Sequence, residues 1–459
     1  MAEQYDALVI GAGQAGPPLA ERLGKSGLRT AIIERHLVGG TCVNVGCIPT
    51  KTLVGSARVA YAAQQAGDFG VSIDGTVRVD MARVKARKDQ VAGDSNASVE
   101  KWIEGMENVT LIRGHARFDG PRSLIVGEQQ LTADRVFINV GARARVPDMA
   151  GLSEIDYLTN SSMMDVDFLP EHLLIVGGSY IGLEFAQMYR RFGAEVTVVE
   201  MQDRLIGRED PDVSAAVKDI LEGEGVKIRL QAECLSFEEG PSGVRMNIDC
   251  AIDSSPLDGS HVLLAVGRVP NTHDLNLERA GIETDQRGFI EVDDELRTSA
   301  EGVWALGEVN ARGAFTHTSY NDFEIVAANL LDDDARRVDD RITCYGLFID
   351  PPLGRVGMTE EQVRASGRPA LIGTRPMSRV GRAKEFGETR GFMKVLVDAA
   401  TSEILGASVL GLSGDEVVHS LLDVMYAKAP YTVISRGVHI HPTVTELIPT
   451  VLQGLEPLE

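Results

Sequence analysis

Asp6-Ala7-Leu8-Val9-Ile10-Gly11-Ala12-Gly13-Gln14-Ala15-Gly16 decides how this chain begins to fold, because a short apolar run leads straight into glycines spaced for a tight turn. A helix-compatible stretch follows, then a second apolar run, Thr30-Ala31-Ile32-Ile33-Glu34, ending in an acid. Strand, glycine turn, helix, strand and acid are the parts of a dinucleotide fold. Gly11 allows the tight turn, Gly13 the approach of a pyrophosphate and Gly16 close packing of the helix, whose N-terminus attracts phosphate. Glu34 can accept hydrogen bonds from a ribose. The glycine pattern alone is weak, and the strand before it and the acid after it carry the reading.

The same order recurs further on. His172-Leu173-Leu174-Ile175-Val176 enters Gly177-Gly178-Ser179-Tyr180-Ile181-Gly182, and a helix is predicted through Arg191. Glu195-Val196-Thr197-Val198-Val199-Glu200 then ends in an acid as far from Gly177 as Glu34 is from Gly11. Two units with one internal spacing imply two dinucleotide sites, which suits electron transfer between a nicotinamide and a flavin. Ser179 stands at the second glycine position, so this copy tolerates a slightly larger residue near the phosphates. Glu200 would accept from a free 2′-hydroxyl and repel a 2′-phosphate, favouring NADH, while Arg204 and Arg208 nearby leave NADPH open.

Just beyond the first unit runs Gly39-Gly40-Thr41-Cys42-Val43-Asn44-Val45-Gly46-Cys47-Ile48-Pro49-Thr50-Lys51. Disulfide exchange needs one thiol to attack and a second to resolve the mixed intermediate, and the spacer between Cys42 and Cys47 can close such a loop. The glycines let the backbone turn and approach a cofactor, so Gly40 and Thr41 are expected at that cofactor. Lys51 adds a positive charge about one turn beyond Cys47, favouring its thiolate or the anion of a reduced flavin. Two buried cysteines, or two ligands of a metal site, are the other readings. No second pair or Cys/His cluster at zinc spacing accompanies them, and no resident metal is expected.

On these residues the chain resembles the pyridine nucleotide-disulfide oxidoreductases, the family of dihydrolipoamide dehydrogenase, glutathione reductase and mercuric reductase. The resemblance implies that Cys42 is the interchange thiol that meets the substrate and Cys47 the thiol beside the flavin. It also implies that Lys51 forms an ion pair with Glu184 near the flavin, and that FAD occupies the first copy and NADH or NADPH the second. Gly114-His115-Ala116 resembles the family's backbone contact to the FAD adenine, which would involve Ala116, and Val136-Phe137-Ile138-Asn139-Val140-Gly141-Ala142 its crossing strand, ending at Gly141. The stretch from Val262 to Asn271, with Gly267, resembles the exit from the nicotinamide domain. Val303-Trp304-Ala305-Leu306-Gly307-Glu308-Val309 resembles the second FAD motif, whose acid contacts the ribityl chain. That acid is usually aspartate. Glu308 reaches further by one C–C bond, on the order of an ångström, so the chain must shift or the contact must change.

From about residue 341 the pattern alternates, with antiparallel strands expected at Phe392-Met393-Lys394-Val395-Leu396-Val397 and Ile404–Leu410 and a helix across Asp415–Ala427. This resembles the family's dimerisation domain. His439-Ile440-His441-Pro442-Thr443-Val444-Thr445-Glu446 follows, where a histidine oriented by a carboxylate suits thiol chemistry. His441 and Glu446 can pair if Pro442 begins a helix. Surface polar residues or a metal site would use the same residues, and the resemblance favours catalysis, with His441 reaching the disulfide of the other subunit of a homodimer.

At 459 residues, a soft rule of about 150 per domain suggests roughly three domains, and 44% apolar residues supply their cores. The fold expected is α/β, with two Rossmann-like dinucleotide-binding domains and a C-terminal α+β dimerisation domain. The resemblance divides it into a first FAD segment at 1–150, an NAD(P) domain at 151–270, a second FAD segment at 271–340 and the dimerisation domain at 341–459. A net charge of −22 argues against nucleic acid or an anionic membrane as partner. Five cysteines, with Cys234, Cys250 and Cys344 scattered, argue against a secreted disulfide scaffold and fit a reducing cytoplasm. No leader pattern or membrane-length apolar run is seen, so a soluble, untargeted protein is expected. The chain ends without the vicinal cysteines of mercuric reductases, yet the stretch from Pro351 to Glu361 resembles the mercuric-reductase-like branch, including reactive-chlorine-resistance flavoproteins that reduce metal ions. The reaction expected is reduction of a disulfide or thiophilic metal ion. Dihydrolipoamide dehydrogenase is the alternative, and a flavin-only quinone or oxygen reductase or a redox-sensing flavoprotein comes after it.

Overall fold

The first apolar run becomes the strand Glu3–Ile10, whose residues Ala7–Ile10 are buried, as a strand inside a parallel sheet must be. It pairs in parallel with Thr30–Glu34 on one side and Gln129–Ile138 on the other. The glycine turn enters the helix Gly16–Lys25, where Pro17 and Pro18 are tolerated because first-turn N–H groups have no helical acceptor. The long strand Gln129–Ile138 serves two directions: its first half pairs antiparallel with Ser123–Val126 and its end pairs in parallel with Val303–Ala305. A segment distant in sequence thereby completes the seven-stranded sheet. The computed structural model describes residues 2–250 and 254–459, with the backbone alone at Cys234, Asp249 and Cys250.

The second copy repeats the design. His172–Val176 and Glu195–Val199 flank the helix Tyr180–Phe192 in a four-stranded parallel sheet with Lys227–Arg229 and His261–Leu264. In both sheets the register ends together, Ile10 beside Ile33 and Ile138, and Val176 beside Val199 and Leu264. Both glycine turns and both acids therefore emerge at the carboxyl edge of a sheet, where open α/β folds bind ligands. A two-stranded ribbon, Ala142–Ala144 against Arg268–Pro270, links the two halves.

The alternating C-terminal stretches form Phe392–Asp398 and Ile404–Leu410, antiparallel neighbours in a six-stranded sheet against which the helix Gly414–Tyr426 packs. This sheet is keyed to the second copy by buried charge: Lys394 reaches Asp210 at 3.1 Å and Asp212 at 2.8 Å, and Arg355 lies 3.5 Å from Asp210. Buried cations of this kind are tolerated only with such partners. No described helix is long and apolar enough to cross a membrane.

Candidate active site

Cys42 lies in the short helix Gly40–Asn44, and the chain reverses through Val45 and Gly46 so that Cys47 opens the helix Cys47–Gln64. The two side chains are hydrogen-bonded to one another. Cys47 Sγ also lies 3.2 Å from Thr316 Oγ1. The hydrogen bond from Cys42 draws the Cys47 thiol down to about 6 despite the opposing cost of burial, with Thr316 and Lys51 adding to the effect. Cys42 moves the other way, because it donates to its neighbour and is partly buried. The N-terminus of an 18-residue helix supplies a further partial positive charge at Cys47. Cys47 is thus the thiolate of the pair and Cys42 the thiol.

One turn along the same helix, Lys51 Nζ meets Glu184 Oε2 at 2.8 Å. Glu184 is buried in the helix Tyr180–Phe192, and its other oxygen accepts from the Phe348 N–H at 3.1 Å. The pairing of Lys51 with Glu184 joins the first copy to the second directly beside the cysteines.

The two glycine turns share their backbone geometry. Gly11 and Gly177 have φ of +102° and +113°, the left-handed region open to glycine at low cost. A Cβ at Gly16 would lie 2.2 Å from the Gly11 carbonyl oxygen, and one at Gly182 would lie 2.1 Å from that of Gly177. Glu34 accepts from the Ala12 N–H at 2.9 Å and the His36 N–H at 2.8 Å; Glu200 accepts from Gly178 at 2.6 Å and Gln202 at 2.8 Å. Each carboxylate is thereby held at the mouth of its turn. Gly40 packs on Gly13, where a Cβ would come within 2.8 Å of the Gly13 Cα, so the cysteine segment closes one side of the first cradle. These features fit FAD, since the glycine turn leaves its own backbone bare for a pyrophosphate to approach.

The remaining predicted positions separate into two groups. Thr41 is exposed beside Cys42 and Ala116 is buried at the start of Ala116–Gly120. Gly141 and Gly267 sit at the two ends of the interdomain ribbon, with Asn271 N–H bonded to the Gly141 carbonyl. Gly307 opens the turn Gly307–Asn310 and donates to Asp322 Oδ2 at 2.7 Å. Glu308 is engaged by Arg268, Nε to Oε1 at 2.6 Å. His441 stands apart, 79% exposed, its Nδ1 at 3.0 Å from both Glu446 oxygens. Since a carboxylate only accepts, Nδ1–H donates, which in the neutral ring leaves Nε2 as the acceptor.

The pairing of His441 with Glu446 forms differently from the expectation that Pro442 begins a helix. Residues 442–444 make a turn, and the next helical residues are Thr445–Leu447. Thr443 holds that turn by donating Oγ1–H to the Ile440 carbonyl and accepting from the Glu446 N–H. A threonine two residues after the histidine was the available signal. Asn139 was quoted only as part of a strand, yet its Oδ1 accepts from Gly16 N–H at 3.1 Å and its Nδ2 donates to Leu306 O at 2.9 Å. An amide inside an otherwise apolar run was the signal there. Thr316 and Arg268 gave none, because their partners are remote in sequence.

Residues 5–322 match the family described as pyridine nucleotide-disulphide oxidoreductase, and residues 344–452 match its dimerisation domain. The chain is 37% identical to a probable pyridine nucleotide-disulfide oxidoreductase, RclA, of Escherichia coli, covering 96% of this chain and 97% of that one. It is 31% identical to a mercuric reductase of Staphylococcus aureus, over 95% and 81% of the two chains, and 33% identical to a dihydrolipoyl dehydrogenase of Cupriavidus necator, over 98% and 97%. A Cu(II) complex of the HOCl-induced flavoprotein disulfide reductase RclA from Escherichia coli superposes with a TM-score of 0.89 at 35% identity, covering 99% of both chains.

Proposed function

This chain belongs to the pyridine nucleotide-disulphide oxidoreductases and is an NAD(P)H-dependent flavoprotein disulfide reductase, and from that premise we propose that it uses NADH to reduce a thiophilic metal ion, or a small disulfide, at Cys42 and Cys47. The observation that carries this reading is the placement of Cys47 Sγ at the N-terminus of the helix Cys47–Gln64, 3.2 Å from Thr316 Oγ1 and with Cys42 as its hydrogen-bonding neighbour. The relatives' printed descriptions, a Cu(II) complex and a mercuric reductase, favour the metal ion.

In this reading the turn at Gly11–Gly16 with Glu34 holds FAD and the turn at Gly177–Gly182 with Glu200 holds the nicotinamide cofactor. Bound FAD supplies the relay of an electron pair from NAD(P)H to the Cys42–Cys47 disulfide. Once that S–S bond is broken, Lys51, Thr316 and Cys42 stabilise the negative charge left on Cys47 Sγ. Cys42 gives its proton to His441 Nε2 of the other protomer in a homodimer, whose Glu446 stabilises the imidazolium. The Cys42 thiolate then takes the metal. Two Cu(II) accept one electron each, or one Hg(II) accepts two, and the Cys42–Cys47 bond re-forms. Val438 and Ile440 beside His441 are strongly exposed in one chain, a placement that suits burial against a second copy. Glu200, held by the Gly178 N–H at the mouth of its turn, favours a free ribose hydroxyl over a phosphate.

Anaerobic NADH oxidation in the presence of Cu(II), compared between the wild type and Cys42→Ser, tests the proposal. Turnover that falls at least a hundredfold in the variant supports it. Equal turnover in both proteins sinks it, and rapid NAD⁺ reduction by dihydrolipoamide with no NADH oxidation by Cu(II) replaces it with the lipoamide reaction.

A further inference from the structure

Glu308 stands where the family resemblance places an aspartate. The backbone of its turn has little freedom, because Asp322 accepts from the Gly307 N–H at 2.7 Å and from Asn310 Nδ2 at 3.1 Å. From this fixed turn the longer side chain reaches Arg268, whose Nε donates to Glu308 Oε1 at 2.6 Å. The same guanidinium donates through Nη2 to the Ala142 carbonyl, also at 2.6 Å. Both charged side chains are only 17% exposed, so each would be costly to leave without the other. Glu308 Oε2 has no hydrogen-bond partner among the described residues.

Three elements distant in sequence therefore meet at one guanidinium: the turn Gly307–Asn310, the crossing strand Ala142–Ala144 and the return strand Arg268–Pro270. An aspartate on the same backbone would retract the carboxylate by roughly 1.5 Å, one C–C bond. That moves it beyond hydrogen-bond reach of Arg268.

We infer that Arg268 is a positioning residue of the flavin site, holding one oxygen of Glu308 so that the other is presented to a hydroxyl of the flavin's sugar-alcohol chain. The inference rests on the assignment of FAD to the first copy. It makes the glutamate a matched replacement: Glu308 and Arg268 work as a pair, and neither is equivalent to the shorter acid acting alone. The pair also ties flavin retention to the ribbon that joins the two nucleotide-binding halves.

The test is titration of apoprotein with FAD, followed by flavin fluorescence, for the wild type, Arg268→Gln, Glu308→Asp and the double variant. The unfolding midpoint of each apoprotein is measured beside it. Each single variant is expected to raise the FAD Kd about tenfold, and the double variant no further, as for two groups acting through one contact. Loss of one partner of the pair is expected to lower the apoprotein midpoint as well; the titrations are made well below that midpoint, where a merely structural role leaves the Kd of the folded apoprotein unchanged. An unchanged Kd in Arg268→Gln, or single effects that multiply in the double variant, overturns the inference. Should Arg268→Gln not fold, Arg268→Lys asks the same question, since an ammonium lacks the fork that engages Glu308 and Ala142 together. A loss of about threefold is then expected, and no loss overturns the inference. Wild-type apoprotein that takes up no FAD overturns the flavin assignment itself.

Discussion

Behind the turn Gly11–Gly16 stands Asn139, and behind the turn Gly177–Gly182, at the equivalent end of the neighbouring strand, stands Ala265. The two backbones are superimposable in their logic: a Cβ at Gly11 would collide with the Asn139 carbonyl oxygen at 2.3 Å, and one at Gly177 with that of Ala265 at 2.4 Å. Only the asparagine has a side chain that can use the position. It takes the Gly16 N–H and reaches Leu306, binding the first turn to the segment that carries Glu308. The alanine leaves its turn without such a tie. This also explains the second residue of each motif, since a Cβ at Gly13 would stand 3.0 Å from Asn139 Oδ1, while Ser179 is exposed. A tied, closely packed turn suits a cofactor that stays, and an open one suits a cofactor that exchanges each turnover.

The strongest way to break this contrast is Asn139→Ala, which leaves a buried N–H and a buried carbonyl without partners. A loss of about 2–6 kcal/mol in holoenzyme stability is expected, at about 1–3 kcal/mol per abandoned group, read by denaturant unfolding. Ala265→Asn should produce no corresponding gain, for lack of a second segment to reach. The contrast extends to pH. The thiolate of Cys47 belongs to the first copy, and its folded-state value of about 6 lies below the ordinary thiol value. Its contribution to stability in the reduced enzyme is complete above the unfolded value and is lost as pH falls through about 6. Alkylation of reduced Cys47 by iodoacetamide should accordingly fall about tenfold per pH unit below that point.

Gly13→Ser imitates the second copy in the first, and the crowding against Asn139 should raise the FAD Kd about tenfold. The reverse exchange, Ser179→Gly, should leave the NADH KM within about twofold, because that position is exposed. If the two exchanges have equal effects, the contrast between the turns is wrong. Between these lies Glu200→Gln, which removes the charge that would repel a 2′-phosphate and should improve NADPH relative to NADH by about threefold to tenfold in kcat/KM.

Much of this was legible in the chain because the deciding contacts are local. A glycine that must adopt positive φ, an acid at the end of the next strand and two cysteines across one reversal are set by short-range geometry. Glu34 and Glu200 could be named before their partners were seen, because the turn N–H groups they accept from lie just past the preceding strand. His441 pairs with Glu446 as expected but through a different local structure, since Thr443 holds a turn where a helix was expected. What stayed hidden were contacts across the fold. The approach of Thr316 to Cys47, of Arg268 to Glu308 and of Lys394 to Asp210 depends on how sheets are placed against one another.

The sequence by itself determined two nucleotide turns, a dithiol beside the first of them and a histidine with its carboxylate, because residue type and spacing alone constrain backbone conformation and chemistry over a few residues. The tertiary structure decided which thiol carries the charge and which turn is tied. It also decided which cation meets the longer acid at 308. Those properties arise from electrostatics and hydrogen bonds between segments that only the packed sheets bring within reach, so no run of neighbouring residues could specify them.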